Sequence, residues 1–259
     1  MRSEESILRP ALLPGLLRAA AHNAAHGTAD VALFETGTVF APPAEGDRLP
    51  AEHFHLAFAR THMVRRAPHE ADRPVDVYDA TAVLFALVEE LRVADVQLDA
   101  ATVEGFHPAR AARIVVEGTP IGHLGEISTG VVGALDLAGP VIAGELDLDA
   151  LLEGRSADRR ARAVSRFPAS TIDLALVVDD RVPAANVEAS LREAGGDLLE
   201  RVELFDVFRS EALGPGKVSL AFSLRFRAPD RTLTDEEVGR LRQRAIDAVA
   251  AAHGAELRT

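Results

Sequence analysis

From Lys217 to Arg227 the chain alternates: Val218, Leu220, Phe222, Leu224 and Phe226 fall on one parity, and Lys217, Ser219, Ser223, Arg225 and Arg227 on the other. A period of two sustained over this length is a β-strand with one face committed to a core and the other polar and basic. The preceding VELFDVF reads as a second strand, and SEALGPG between them as a Gly/Pro turn, so the pair forms a hairpin. Asp206 and Phe208 stand two apart and leave the same face of their strand. If that face is the one carrying Ser219 and the arginines, the set suits an unpaired base. The aromatic ring would stack, the carboxylate would accept from the Watson–Crick edge of guanine, and the arginines would meet phosphate.

The flanking segments extend the pattern to a βαββαβ order. Ile172, Leu174, Leu176 and Val178 alternate in a first strand, and Pro183 opens a helix with Val187, Leu191 and Ala194 inward that ends at Gly195-Gly196. After the hairpin, Thr234 and Glu237 have the spacing of a capping box, and Val238, Leu241, Ala245, Val249 and Ala252 form the buried stripe of a second helix. AELR supplies a last short strand. This is a ferredoxin-like sandwich, with two helices on one sheet face and the other face left for a ligand.

Upstream, Pro42–Pro50 and 62–74 read as loops around strands at Val31–Phe40 and His53–Thr61. Helices are expected from Arg9 to Gly27 and from Tyr78 to Val93, a hairpin from Phe106 to Ile127, a short helix at Gly130–Leu135 and a strand at Pro140–Leu148. This is an α+β module with a mainly antiparallel sheet, occupying 1–152. The charged, aperiodic stretch 153–162 reads as a linker, and 163–259 as the second module.

At 259 residues and 47% hydrophobic content, two modules with cores of their own are expected. The absence of cysteine excludes disulfides and thiolate metal sites. No run approaches the length of a membrane span and MRSEES lacks a signal-peptide core, which together lead to the expectation of a cytoplasmic protein. The net charge of −12 is unusual for a nucleic-acid binder. From Ala163 onward, however, 13 basic residues face 16 acidic ones, and Arg209, Lys217, Arg225, Arg227 and Arg231 cluster in sequence. A local patch of this kind binds a few phosphates in a salt-sensitive way. No metal site is expected. His22/His26 share a helix spacing and His53/His55 a strand face, and both pairs read as ordinary exposed polar residues. Gly122 and Gly125 lack the order of a phosphate loop and read as close-packing positions.

LFDVFRSEALGPGKVSLAFSLRFRAPDRTLTDEE, with RFPASTIDLALVVDDRVPAANVE before it and GAELR after it, closely resembles the anticodon-binding domain that ends the beta chain of bacterial phenylalanyl-tRNA synthetases. ILRPALLPGLLRAAAHNAAHGTADVALFETGTVF and FHPARAARIVVEGTPIGHLGEIS resemble the catalytic-like module that precedes it, and the segment from Ala41 to Leu98 matches most loosely. The resemblance implies a C-terminal portion of that beta chain, working in a heterotetramer with a catalytic alpha chain that joins phenylalanine to tRNA(Phe) with ATP and Mg²⁺. It implies no cofactor, DNA or membrane for this portion. Catalysis by it alone is not expected, since the strand in the place of class II motif 2 has no arginine between Asp30 and Phe40. It assigns Asp206, Phe208 and Ser219 to the first anticodon base, a guanine, and the basic residues Arg209, Lys217, Arg225 and Arg227 suit phosphate. Phe208 stands where the family more often has tyrosine, which keeps the stack without a phenolic hydrogen bond. Val218 and Ile172 replace residues that are commonly basic.

Two readings of other classes remain beside it. Ferredoxin-like modules also sense small molecules such as amino acids, at loops or paired edges. A purely structural assembly module is the other, with the acidic first module as the surface for the alpha chain.

Overall fold

The computed structural model describes residues 7–43, 46, 48–64, 68–154 and 165–258. It divides into two compact units, 1–159 and 160–259. Of the stretch expected as a linker, only Glu153 and Gly154 lie within the described residues.

The first unit runs α1 (Leu13–Ala25), β1 (Ala32–Ala41), β2 (Ala51–Thr61), the short pair β3 (Met63–Val64) and β4 (Arg73–Pro74), α2 (Val77–Leu91), β5 (Val96–Ala100), β6 (Phe106–Val116), β7 (Thr119–Ile127), α3 (Thr129–Ala134), β8 (Val141–Asp147) and α4 (Leu148–Glu153). Its main sheet is antiparallel in the order β1-β2-β8-β7-β6-β5. The hairpin β6–β7 and the helices α1, α2 and α3 fall where the sequence places them. The strand β5 and the helix α4 do not register in the sequence, because VQLDA and LDALLE are too short for either period to assert itself.

Two cores form, one on each face of this sheet. Leu12, Leu13, Leu16, Leu17 and Ala20 of the α1 segment pack on Ala57, Ala59, Val141 and Ala143. On the opposite face Ala80 and Leu84 of α2 and Leu151 of α4 pack with Phe58, Ile114, Leu124, Ile142 and Leu146. The central strand β8 is therefore buried on both faces, and Gly144 is required there because a Cβ would stand 2.7 Å from the Phe58 ring. Gly122 and Gly125 are the close-packing positions expected: a Cβ on either would lie 2.3–2.4 Å from a carbonyl oxygen of the neighbouring strand.

Among the described residues of this unit, one ionisable side chain is buried. Glu145, 3% exposed, accepts the backbone N–H groups of Leu12 and Leu13 at 2.9–3.1 Å and meets Nδ1 of His55 at 2.8 Å. The first two are orphan donors at the start of α1, so the carboxylate supplies the cap that Leu12 has no side chain to provide.

The second unit runs β9 (Ser170–Asp179), α5 (Ala184–Gly195), β10 (Leu199–Phe208), β11 (Lys217–Phe226), α6 (Asp235–His253) and β12 (Glu256–Leu257). The sheet order β10-β11-β9-β12, antiparallel throughout, is the ferredoxin-like arrangement. Leu174, Leu176, Val178, Leu220, Phe222, Leu224 and Phe226 meet Val187, Leu191, Leu241, Ala245 and Val249 from the helices. The capping box of α6 is formed by Thr234 and Glu237, and the N–H of Thr234 holds the Glu237 carboxyl below its ordinary range. One sheet face is thereby consumed, and the other carries the polar positions of β9, β10 and β11.

Candidate nucleic-acid interface

The site depends on an irregularity in β10. Val202 and Leu204 face the core opposite Leu224 and Phe222. Strict alternation would send Asp206 and Phe208 to that same core side. Instead the register shifts by one residue at Phe205, so that Asp206 pairs with Ala221 and Phe208 with Ser219. A bulge of this kind re-aims every side chain beyond it. Asp206 and Phe208 therefore reach the open face, both exposed. The signal was present as a conflict: a carboxylate on the parity of Val202 and Leu204 has no place in a core.

On the open face the pairing makes two transverse rows. Phe208, Ser219, Val177 and Glu256 form one, and Asp206, Ala221 and Ala175 the start of the other. Arg258 donates its backbone N–H to Ala175 O at 2.8 Å and so completes the second row. Its guanidinium carbon lies 4.4 Å above the centre of the Phe208 ring. Ala221 and Ala175 leave a low floor, which lets that long side chain cross from β12 to β10. Sequence reasoning did not single out Arg258, because a contact that spans a four-stranded sheet has no signature in local spacing. Ser219 belongs to the Phe208 row as expected but is only 2% exposed.

The basic residues separate into two groups. Arg209 and Lys217 lie at the hairpin end, where with Asp180, Ser210, Glu211 and the loop 214–216 they line an open hollow of about 600 Å³. Gly214 and Gly216 have φ of 91° and 68°, which explains why this turn uses glycine. Lys217 faces Asp179 across the ladder, while Arg181 pairs with Asp179 at 2.8 Å and holds its carboxyl well below the usual range. Arg225 and Arg227 sit at the other end of β11. Six residues of strand, about 20 Å at ordinary rise, separate Arg225 from Ser219. Both arginines are held by Glu200, at 2.7 and 3.3 Å, and Arg227 also donates to Phe167 O at 3.3 Å. The structure thus joins Asp206, Phe208, Ser219 and Arg258, with Arg209 and Lys217 adjoining, and places Arg225 and Arg227 apart from them.

Comparison with known proteins bears on this arrangement. A model described as the phenylalanyl tRNA synthetase beta chain CLM domain matches residues 1–148, more than half the chain, and one described as a ferredoxin-fold anticodon binding domain matches 165–258. The chain belongs to the phenylalanyl tRNA synthetase beta chain family. Curated relatives named phenylalanine–tRNA ligase beta subunit include those of Symbiobacterium thermophilum and Streptomyces avermitilis, each 40% identical over the whole of this chain. The Bacillus subtilis subunit is 36% identical, also over the whole chain. This beta-chain sequence spans only 29%, 34% and 32% of those relatives. Among solved structures, a pyrrolysyl tRNA synthetase of Desulfitobacterium hafniense overlaps 61% of this chain and 54% of its own, at 15% identity and a TM-score of 0.42, too distant to carry an argument. Against the family match, the ferredoxin-like second unit is an anticodon-binding domain in fold, and its open face is the surface that carries Asp206 and Phe208. Among the described residues no helix is long and apolar enough to cross a membrane.

Proposed function

We propose that this chain is the anticodon-reading and assembly portion of a phenylalanine–tRNA ligase beta subunit, and that Asp206 and Phe208 receive the first anticodon base of tRNA(Phe). The observation that carries this reading is the bulge at Phe205, which brings a carboxylate and an aromatic ring to the one sheet face not used by the core. A guanine stacked on Phe208 presents its ring N–H and amino group to an acceptor, and Asp206 is the neighbouring acceptor on the same strand. Such a base displaces the Arg258 guanidinium outward, where its plane stacks on the base from the other side. Ser219, beside Phe208 in the same row and buried, offers a hydroxyl contact only once Arg258 has moved. Arg209 and Lys217 are the phosphate contacts nearest the base. Arg225 and Arg227 serve phosphates further along, after release from Glu200.

The first unit takes the role of a catalytic-like module without catalysis of its own, and ATP and Mg²⁺ act on the alpha chain of the whole heterotetramer. An assembly role is favoured by exposed aromatics: Phe34 on the edge strand β1 and Tyr78 on α2 are each 76% exposed. The direct test is titration of this chain with anticodon stem-loops of tRNA(Phe) carrying guanine or adenine at the first anticodon position. Tighter, salt-sensitive binding of the guanine loop is expected. Equal binding of both loops, or none, overturns the assignment of the base site. Binding of free phenylalanine by the second unit would instead favour the small-molecule reading.

A further inference from the structure

His53 and His55 stand two apart on β2, with Glu145 and Asp147 two apart on β8, all on the face of the first sheet that α1 covers. Nδ1 of His55 lies 2.8 Å from Glu145 Oε1, and Nδ1 of His53 lies 3.3 Å from Asp147 Oδ2. A carboxylate can only accept, so in the neutral imidazole each Nδ1 carries the proton and each Nε2 keeps its lone pair. The carboxylates are themselves fixed, Glu145 by the N–H groups of Leu12 and Leu13 and Asp147 by that of Ala150 at 3.0 Å. An outer carboxylate that sets tautomer and ring orientation is the support protein metal sites give their histidine ligands.

We propose that His53 and His55 together bind one divalent transition-metal ion of the zinc, nickel or copper class through Nε2, with Asp147 and Glu145 as positioning residues. Imidazole nitrogen suits these ions, whereas Mg²⁺ and Ca²⁺ take oxygen donors. The ring centroids lie 6.3 Å apart at an interplanar angle of 56°. Closing on one ion with nitrogen–metal bonds of about 2.0–2.1 Å brings the rings roughly 1 Å nearer. The His53 side chain, 45% exposed, is free to make that rotation, and His55, 22% exposed, is the anchored partner. Among the described residues no set of three protein ligands forms, so water completes the coordination and the affinity is that of a two-histidine chelate. The nearby Arg9, whose guanidinium overlies Gly37 opposite His55, is paired with Glu35 at 2.6 Å, and that pairing limits its repulsion of an ion. At the C-terminal end of α1, His22 and the capping residue His26 also lie within reach of one another, but His26 spends Nδ1 on the carbonyl of His22 at 2.7 Å rather than on a carboxylate.

The test is calorimetric titration of the whole chain with ZnCl₂ and NiCl₂ alone, above the ordinary imidazole titration range, alongside three variants. The wild type and His26→Gln are expected to take up one equivalent with the same affinity. His53→Gln, a change at a half-exposed side chain, is expected to lose that uptake at least tenfold. Asp147→Asn, which keeps an oxygen for the Ala150 N–H, is expected to weaken binding about 10- to 100-fold. On zinc addition the ring proton signals of His53 and His55 should shift together. The proposal is overturned if the wild type binds neither ion, if His53→Gln titrates like the wild type, or if the uptake is lost in His26→Gln.

Discussion

The guanidinium of Arg258 rests 4.4 Å above the Phe208 ring, across two intervening strands. It lies over the ring face on which the proposed base would stack. Arg258→Ala is expected to lower stability by no more than about 0.5–1 kcal/mol, the range of an exposed cation–π pair. Anticodon-loop binding should weaken for every base alike. Urea unfolding beside stem-loop titration separates the two effects. A variant that gains affinity would mean that the arginine only obstructs the site.

Asp206 and Phe208 are expected to fail differently. Asp206→Ala should remove the preference for guanine over adenine, a loss of about 1–3 kcal/mol by analogy with paired base contacts in DNA readout. Phe208→Ala should weaken both loops by about 1–3 kcal/mol, as stacking has little regard for base identity. Fluorescence titration of each variant with both loops gives the four numbers required. If Asp206→Ala affects the two loops equally, the carboxylate does not read the base.

Deletion of Phe205 tests the bulge itself. Without that residue Asp206 follows Leu204 directly, and a strand held in its present pairing at Val202 and Leu204 keeps Asp206 opposite Ala221 and Phe208 opposite Ser219 on the open face. Loop binding should therefore survive the deletion, because the shorter strand reaches the same parity without the extra residue. Amide hydrogen exchange in β10 and β11 checks that the pairing persists, and loss of binding with the pairing intact would mean that the local twist of the bulge, not parity alone, places the two side chains.

Glu145→Ala should be among the most damaging single changes in the first unit. It leaves the N–H groups of Leu12 and Leu13 buried without an acceptor, at about 1–3 kcal/mol each. Glu145→Gln keeps one oxygen and should lose less. Urea midpoints of the two variants rank the effect, and equal midpoints would assign it to the negative charge, since glutamine keeps the side-chain volume.

His123, edge-on to Phe106 at 5.1 Å, has its pKa lowered by burial, with Glu145 acting against the shift and His55 adding to it. The unfolded chain therefore binds the proton first, at about the ordinary value of 6.5. The stability associated with neutral His123 is whole above that value and declines as pH falls toward the lowered folded-state pKa. His123→Gln should flatten this part of the stability profile. An imidazole titration by NMR that runs above the ordinary value would reverse the sign.

Much of the architecture could be read from side-chain order, because alternation in β9 and β11 and the stripe of α6 are physical requirements of packing. The α6 cap was legible for the same reason: Thr234 and Glu237 must stand three apart to serve one helix start. What escaped depends on backbone or distance. The bulge at Phe205 shows in sequence only as the awkward parity of Asp206. Arg258 reaches Phe208 from another strand, and Glu200 gathers Arg225 and Arg227 from a different one, so a row of arginines that looks like one patch is partly neutralised within the fold. The paired histidines looked like an exposed polar edge until the carboxylates of β8 appeared behind them.

The single extra residue in β10 divides one strand into two territories under unrelated demands. Before it, Val202 and Leu204 answer to volume and hydrophobicity, and any aliphatic replacement of similar size should serve. After it, on the proposed reading, Asp206 and Phe208 answer to the shape and hydrogen bonding of something outside the molecule, where size is secondary and chemistry decides. Substitution maps of this strand should therefore change character abruptly at Phe205, with the outer half open to changes that leave undisturbed the half that holds the domain together.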